Sequence, residues 1–276
     1  MIIDNSSQSH SGNLNHRFAF SALVSLFFFW GFITCLNDIL IPHLKAGFDL
    51  SYFEATLVQF CFFTAYLLVS IPAGKMISAI GYKNGIVVGL LVTAIGCLLF
   101  IPAANWNMYV FFLGALFILA SGITILQVSA NPFVNALGSE SSAPSRLNLS
   151  QGFNSLGTTV APFVGGALIL VGSATAVTEV GTVKLPYLII AVLLVAAACV
   201  FYKIKLPKIN EDKGDSISTL ALLKRHPLLS FGCVSLFAYV GAEVAIGSLL
   251  INYIGLENIK GLEEHDASKY LTFYWA

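Results

Sequence analysis

Apolar runs long enough to cross a bilayer alternate with short polar breaks along nearly the whole chain. The runs lie near 18–44, 55–79, 85–104, 109–137, 147–172, 185–203 and 228–255. Each approaches or exceeds the roughly 20 residues that a helix needs to span the hydrocarbon core. An eighth begins at Lys269, and the chain stops at Ala276. The breaks carry turn residues: Pro42 with His43 to Asp49, Gly81 to Gly85, Pro102 to Asn107, Gly138 to Arg146, and Gly172 to Pro186. The longest polar connection, Lys203 to Pro227, separates six spans from the remainder. The pattern therefore predicts a disordered cytoplasmic tail at 1–17, a six-helix half at 18–203, a central linker at 204–227 and the incomplete start of a second half at 228–276.

Polar residues inside these runs form stripes. Gln127, Asn131 and Asn135 recur at i, i+4 and i+8, on one face of an otherwise apolar helix. Gln151, Asn154 and Thr158 recur at i, i+3 and i+7 in the next run. The connection GSESSAPSR is too short to recross a bilayer, so the two helices are expected to be antiparallel neighbours whose shared polar face walls a cavity. Interhelical hydrogen bonding is the alternative use of these amides.

Asp38 lies in FFFWGFITCLNDILIPHL with Asn37 beside it and Thr34 one turn earlier. A mid-helix Asp costs about 2.5–3.5 kcal/mol on insertion scales, so it needs a cavity, a partner or a function, unless it lies near enough to the span's end to reach headgroup water. Glu243 stands sixteen residues after Pro227, roughly 24 Å along its helix. The fourth and fifth spans hold amides but no carboxylate, so Glu243 is a candidate second titratable group, or else a partner for polar groups elsewhere. Gly157, Ala161 and Gly165 form a small-residue ridge, and Pro132 and Pro162 interrupt the two striped helices.

Composition agrees with membrane residence: 57% of residues are hydrophobic, 10% are charged, and mean hydropathy is +0.83. Ten of the fourteen Lys and Arg fall on one side of the alternating spans, which places the N-terminus and the long linker in the cytoplasm. Trp106 and Tyr109 then mark the outer interface. Net charge is zero and there is no basic tract, so nucleic acid is not expected as a partner. The five cysteines show no metal-binding or CxxC spacing and read as packing residues. The absence of HExxH, GxSxG and acidic metal clusters argues against an intramembrane enzyme.

The turn PAGKMISAIGYKNG places Gly74, Gly81 and Lys83 between the second and third spans. It resembles the loop between helices 2 and 3 of the major facilitator superfamily, where glycines permit close helix approach and basic residues guard the inner gate. Ser78 stands where that motif usually has an aspartate. FFFWGFITCLNDILIPHL, QFCFFTAYLLVSIPAGK, GITILQVSANPFVNALG and SRLNLSQGFNSLGTTVAPFVGG are similar to the fucose:proton symporter family within that superfamily, especially its glucose/galactose type, from Phe18 onward. The resemblance implies an all-α transporter fold, with Asp38 as a sugar-binding and coupling residue and Gln151 and Asn154 near bound sugar. Gln127 matches a position where fucose permeases carry glutamate; Glu243 falls where they tend to carry an amide.

These readings give an expectation: a multi-pass sugar symporter of a bacterial inner membrane, monomeric, working by alternating access. Its substrate is a monosaccharide, its coupling ion a proton or sodium, and it uses no cofactor. Asp38, Asn37, Gln127, Asn131, Gln151, Asn154 and Glu243 are its expected binding or coupling residues. An intramembrane enzyme or a non-transporting sensor is the competing class. The chain that stops at Ala276 is expected to lack the facing half of its cavity.

Overall fold

In the computed structural model, residues 6–170, 180–204 and 219–276 are described. They form nine α-helices and no strands: α1 (Ser6–Gly47), α2 (Tyr52–Ile80), α3 (Tyr82–Trp106), α4 (Tyr109–Ala136), α5 (Ala143–Gly165), α6 (Lys184–Lys203), α7 (Thr219–Arg225), α8 (Pro227–Gly255) and α9 (Glu264–Trp275). Among the described residues six helical segments are long and apolar enough to cross a membrane: Phe18–Gly47, Tyr52–Ile80, Tyr82–Trp106, Tyr109–Ala136, Gly181–Lys203 and Pro227–Gly255. The chain is a multi-pass, all-α membrane protein.

Local chemistry sets most helix limits. Ser51 and Glu54 close a reciprocal capping box, with Ser51 Oγ accepting from the Glu54 N–H at 3.2 Å and Glu54 Oε2 accepting from the Ser51 N–H at 2.9 Å. This starts α2 three residues before the apolar run does. Gly81, at φ +81°, makes the sharp turn between α2 and α3, a conformation that a side chain would strain. Arg146, in the first turn of α5, donates from Nε to Val134 O at 3.1 Å and from Nη2 to Asn135 O at 2.7 Å, satisfying carbonyls at the end of α4.

Several expectations change. Residues 6–17 were expected to be disordered, yet they continue α1, because adding residues to an existing helix avoids the cost of nucleation. Residues 1–5 and most of the expected linker, 205–218, lie outside the described residues, while Thr219–Arg225 within that linker is helical. The fifth span ends as α-helix at Gly165 and continues as a π-helical turn, Gly166–Leu170; the eighth run, expected from Lys269, belongs to α9, which starts at Glu264. α4 and α5 are joined at Arg146, but α5 packs chiefly on α1, and α4 on α3 and α2. A short connection decides which helices are antiparallel, not which faces meet.

Part of the packing follows an exchange of the triplet α1–α3 with α4–α6: the α1–α5 contact becomes α4–α2 and α3–α6 is unchanged, as expected of two inverted repeats. The most extensive contact, α3–α4, has no matching contact between α6 and α1 among the described residues, so the exchange holds for those pairs alone. Phe100 of α3 stacks on Tyr187 of α6 at 4.0 Å and 10°. α1 and α5 approach backbone to backbone: a Cβ on Gly157 would collide with Phe28 O, and one on Gly31 with Asn154 O. Cys35 and Cys97 are buried and Cys61 is partly buried, whereas Cys199 and Cys233 lie on exposed faces, outside the packing role expected for all five.

Burial is uneven along the helices. Residues 35–44 of α1 are buried around the full circumference, whereas residues 18–34 alternate between buried and partly or fully exposed positions. α8 buries only Gly247, Ser248, Ile251 and Ile254, all in its last third. α9 buries Ala267, Ser268 and Leu271. The bundle is thus sealed at the end where α1 finishes and α2 begins, and α8 and α9 are held there alone.

Candidate functional site

Asp38 sits inside this sealed zone, 6% exposed, which excludes the reading that it reaches headgroup water. Nine residues separate it from the end of α1, roughly 14 Å of helix. Its Oδ1 accepts from Gln59 Nε2 at 2.7 Å and from Ser248 Oγ at 3.1 Å. Gln59 Nε2 also donates to Ser248 Oγ at 2.6 Å, and Gln59 Oε1 accepts from Asn37 Nδ2 at 2.9 Å. Asn37, 2% exposed, thereby fixes which way the Gln59 amide points. Three helices, α1, α2 and α8, meet at one carboxylate oxygen. Cys35 and Trp275 adjoin it, and no Lys, Arg or His among the described residues pairs with it.

The amides of α4 and α5 occupy a second tier. Gln127 lies eighteen residues into α4, roughly 27 Å from the sealed end, or about 13 Å deeper than Asp38. Its Nε2 donates to Tyr66 Oη at 2.9 Å. The Tyr66 ring lies 5.4 Å from that of Phe62 and 5.7 Å from that of Phe63, with Trp30 and Thr34 adjoining its hydroxyl. Asn131, one turn further along α4, has a buried Oδ1 with no partner among the described residues, as does the Asn252 Nδ2 of α8. Asn135 is exposed beside Arg146.

Asn154 Nδ2 donates to Phe27 O at 3.1 Å, so this amide ties α5 to α1. Gln151 is exposed and Thr158 Oγ1 returns to Ser155 O at 2.8 Å, so the stripe on α5 does not act as one group. Glu243 Oε1 accepts from Tyr239 Oη at 2.9 Å and its backbone carbonyl from Tyr274 Oη at 2.9 Å. It shares no hydrogen bond with Asp38 or Gln127. The candidates thus form a carboxylate tier (Asn37, Asp38) and an amide tier (Gln127, Asn131, Asn154), with Gln151 and Glu243 outside both networks.

At the opposite end, Lys83 Nζ donates to Tyr202 O at 2.8 Å, placing a cation on the last turn of α6, where the helix dipole favours positive charge. Gly74, expected to permit close helix approach, has open space where a Cβ would stand. Near the sealed end, burial pushes the Glu264 carboxyl above its usual range while Lys45 opposes the shift. Among the described residues no three His, Cys, Asp or Glu side chains group as metal ligands.

Gln59 and Ser248 are the site residues that sequence patterning passes over. Each is one of several scattered polar residues within its own apolar run, and the partners of Gln59 lie 21, 22 and 189 residues away. Its one signal is the cost of burying an unpaired amide in an apolar helix.

Known proteins place this geometry. Over 270 residues the chain is 52% identical to the "Glucose/galactose transporter" of Brucella abortus, covering 96% of this chain and 65% of that protein. It is 38% identical to the "L-fucose-proton symporter" of Escherichia coli, covering 92% of this chain and 63% of that protein. The chain therefore spans about two thirds of the length of these relatives. The crystal structure of a Major Facilitator Superfamily transporter, FucP, in the outward conformation superposes with a TM-score of 0.72 at 37% identity, covering 94% of this chain and 68% of that one. Residues 18–275 match the Major Facilitator Superfamily. The chain belongs to the Major Facilitator Superfamily.

Proposed function

We propose that the protein is a secondary active transporter that carries a monosaccharide by cation symport, the cation being a proton or sodium, with no other cofactor. The observation that carries this reading is Asp38: an intramembrane carboxylate, 6% exposed, whose hydrogen-bond partners are all neutral. A buried charge without a counter-ion is strongly disfavoured, so the site gains from taking up a cation or a proton. The names of the relatives, a glucose/galactose transporter and an L-fucose-proton symporter, support the substrate class and the coupling.

The amide tier suits a polyol. Gln127 and Asn131 offer both donors and acceptors, and the Asn131 Oδ1 has a free lone pair. The Tyr66, Phe62 and Phe63 rings provide apolar faces beside them for a pyranose ring. A sugar on this tier reports to Asp38 through the helices that carry both, α1, α2 and α4. Loading both tiers neutralises the site and permits the two halves to rock about it. In this reading the end bearing Lys75, Lys83 and Arg146 is cytoplasmic, as is the N-terminus. The protein then works as a monomer in the cell membrane of a bacterium.

The test is uptake of a panel of labelled hexoses by the intact protein in proteoliposomes, with proton and sodium gradients imposed separately. Asp38→Asn is expected to abolish accumulation against a gradient while sugar exchange persists, because the amide keeps the shape and cannot change charge. Full concentrative uptake by Asp38→Asn refutes the role given to this carboxylate.

A further inference from the structure

The sealed end of the bundle and the carboxylate meet at the same atom. α8 touches α2 through the pair Gln59 and Ser248, and beside that contact the two helices diverge around an open, largely apolar crevice of about 640 Å³ that reaches Phe60, Leu67 and Phe237. The polar contact is therefore the point at which α8 is fastened to α2. Every hydrogen in it is committed. One Gln59 amide hydrogen goes to Asp38 Oδ1 and the other to Ser248 Oγ; the Ser248 hydroxyl hydrogen returns to Asp38 Oδ1. The Gln59 carbonyl is engaged by Asn37, so the amide cannot turn over without setting oxygen against oxygen.

We propose that Gln59 and Ser248 form with Asp38 a latch that makes closure of this end of the bundle compete with occupation of the Asp38 Oδ1 oxygen. A cation, or a donor group of a substrate, that engages Asp38 Oδ1 must displace Ser248 or Gln59, and α8 loses its fastening to α1 and α2. Conversely, docking of α8 fills the acceptor positions of that oxygen. The two events use the same lone pairs, so they are thermodynamically linked and the linkage is reciprocal. Gln59 acts here as a positioning residue: it holds the Asp38 oxygen and the Ser248 hydroxyl in register. The ring joins residues far apart in sequence and on three helices, which is why breaking it alters the relation of α8 to the rest rather than one helix alone. This inference rests on the transport reading only for the identity of what occupies Asp38.

The experiment reads the latch without transport. Spin labels are placed on the intact protein at Ala46→Cys and Glu257→Cys, both exposed at the sealed end, with the exposed Cys199 and Cys233 replaced by serine. Pulsed dipolar spectroscopy in liposomes without sugar then gives the closed and open populations. Ser248→Ala and Gln59→Leu are each expected to lower the closed-to-open ratio at least about tenfold, the worth of one hydrogen bond to a charged acceptor. Asp38→Asn is expected to act similarly, and the double variant Asp38→Asn with Ser248→Ala to open no further than the more open of the two single variants, as members of one network do. Ser248→Thr, which keeps the hydroxyl, is expected to restore the closed population. An unchanged ratio in Ser248→Ala overturns the latch, as does full additivity with Asp38→Asn or failure of threonine to rescue. If the populations shift as expected while Asp38→Asn still concentrates sugar, the latch stands and the transport role of Asp38 falls.

Discussion

Removing the Arg146 guanidinium should loosen the joint between α4 and α5. Arg146 donates from Nε to Val134 O at 3.1 Å, from Nη1 to Ser139 O at 3.1 Å and to Ser142 Oγ at 2.5 Å, and from Nη2 to Asn135 O at 2.7 Å. Val134 and Asn135 belong to the last turn of α4, whose carbonyls lack partners within the helix and carry the negative end of its dipole. Hydrogen bonds to a charged group contribute about 1.5–3 kcal/mol each. Four that share one half-exposed cation do not add, so about 2–3 kcal/mol is expected for the whole side chain. For a domain of comparable size this corresponds to roughly 4–12 °C in melting temperature. Arg146→Ala is measured against the parent by thermal unfolding of the detergent-solubilised protein. Arg146→Lys keeps the charge without the planar fork and should recover about half of the loss. An Arg146→Ala protein that melts within about 1 °C of the parent shows the cap to be superfluous and the reasoning wrong.

Three further outcomes follow from the packing and the site. Gly157→Leu forces α1 and α5 apart at Phe28 and Phe32 and should leave little folded protein; recovery of a monodisperse, parent-like species on size exclusion would contradict the close crossing. Tyr66→Phe and Gln127→Leu each break the same hydrogen bond, so their effects on apparent sugar affinity should overlap in a double-mutant cycle by about 1 kcal/mol; full additivity would mean that they bind sugar separately. Glu243→Gln tests whether this carboxylate is a second coupling group: exchange without accumulation supports it, and accumulation with unchanged pH and sodium dependence assigns Glu243 to its contact with Tyr239.

Apolar runs reveal helices because each span must cover its own length of hydrocarbon, and the seven runs reappear, with α1 extended back to Ser6, α5 ending as α-helix at Gly165 and most other ends displaced by a few residues. The displacements have local causes, such as the Ser51 and Glu54 box ahead of α2 and the π-helical turn after Gly165. The Gly157 ridge was legible because a small face has few uses other than close packing. The stripe Gln127, Asn131, Asn135 identified a face but not its neighbour, and the three residues meet three different environments: a Tyr66 hydroxyl, an unpaired buried oxygen, and the exposed end of the helix. Gln59 and Ser248 were invisible for a related reason. A periodic signal arises within one helix, whereas their ring closes between helices, and nothing in either apolar run states which residue will face it.

α5 has 23 residues, enough to span the core, yet it is absent from the helices apolar enough to do so alone. Asn148, Gln151, Asn154, Ser155, Thr158 and Thr159 are the cause. During synthesis this segment emerges roughly 100 residues after α1, on the order of ten seconds later at 5–20 residues per second. It gains its place in lipid only when the Gly31 and Gly157 backbones meet and Asn154 finds the Phe27 carbonyl. Biogenesis must therefore keep α1 within reach of the insertion machinery until α5 arrives. The helix that carries part of the polar site then enters the membrane as the ward of another, and a defect in the α1–α5 crossing should appear first as failed insertion and degradation of the nascent chain.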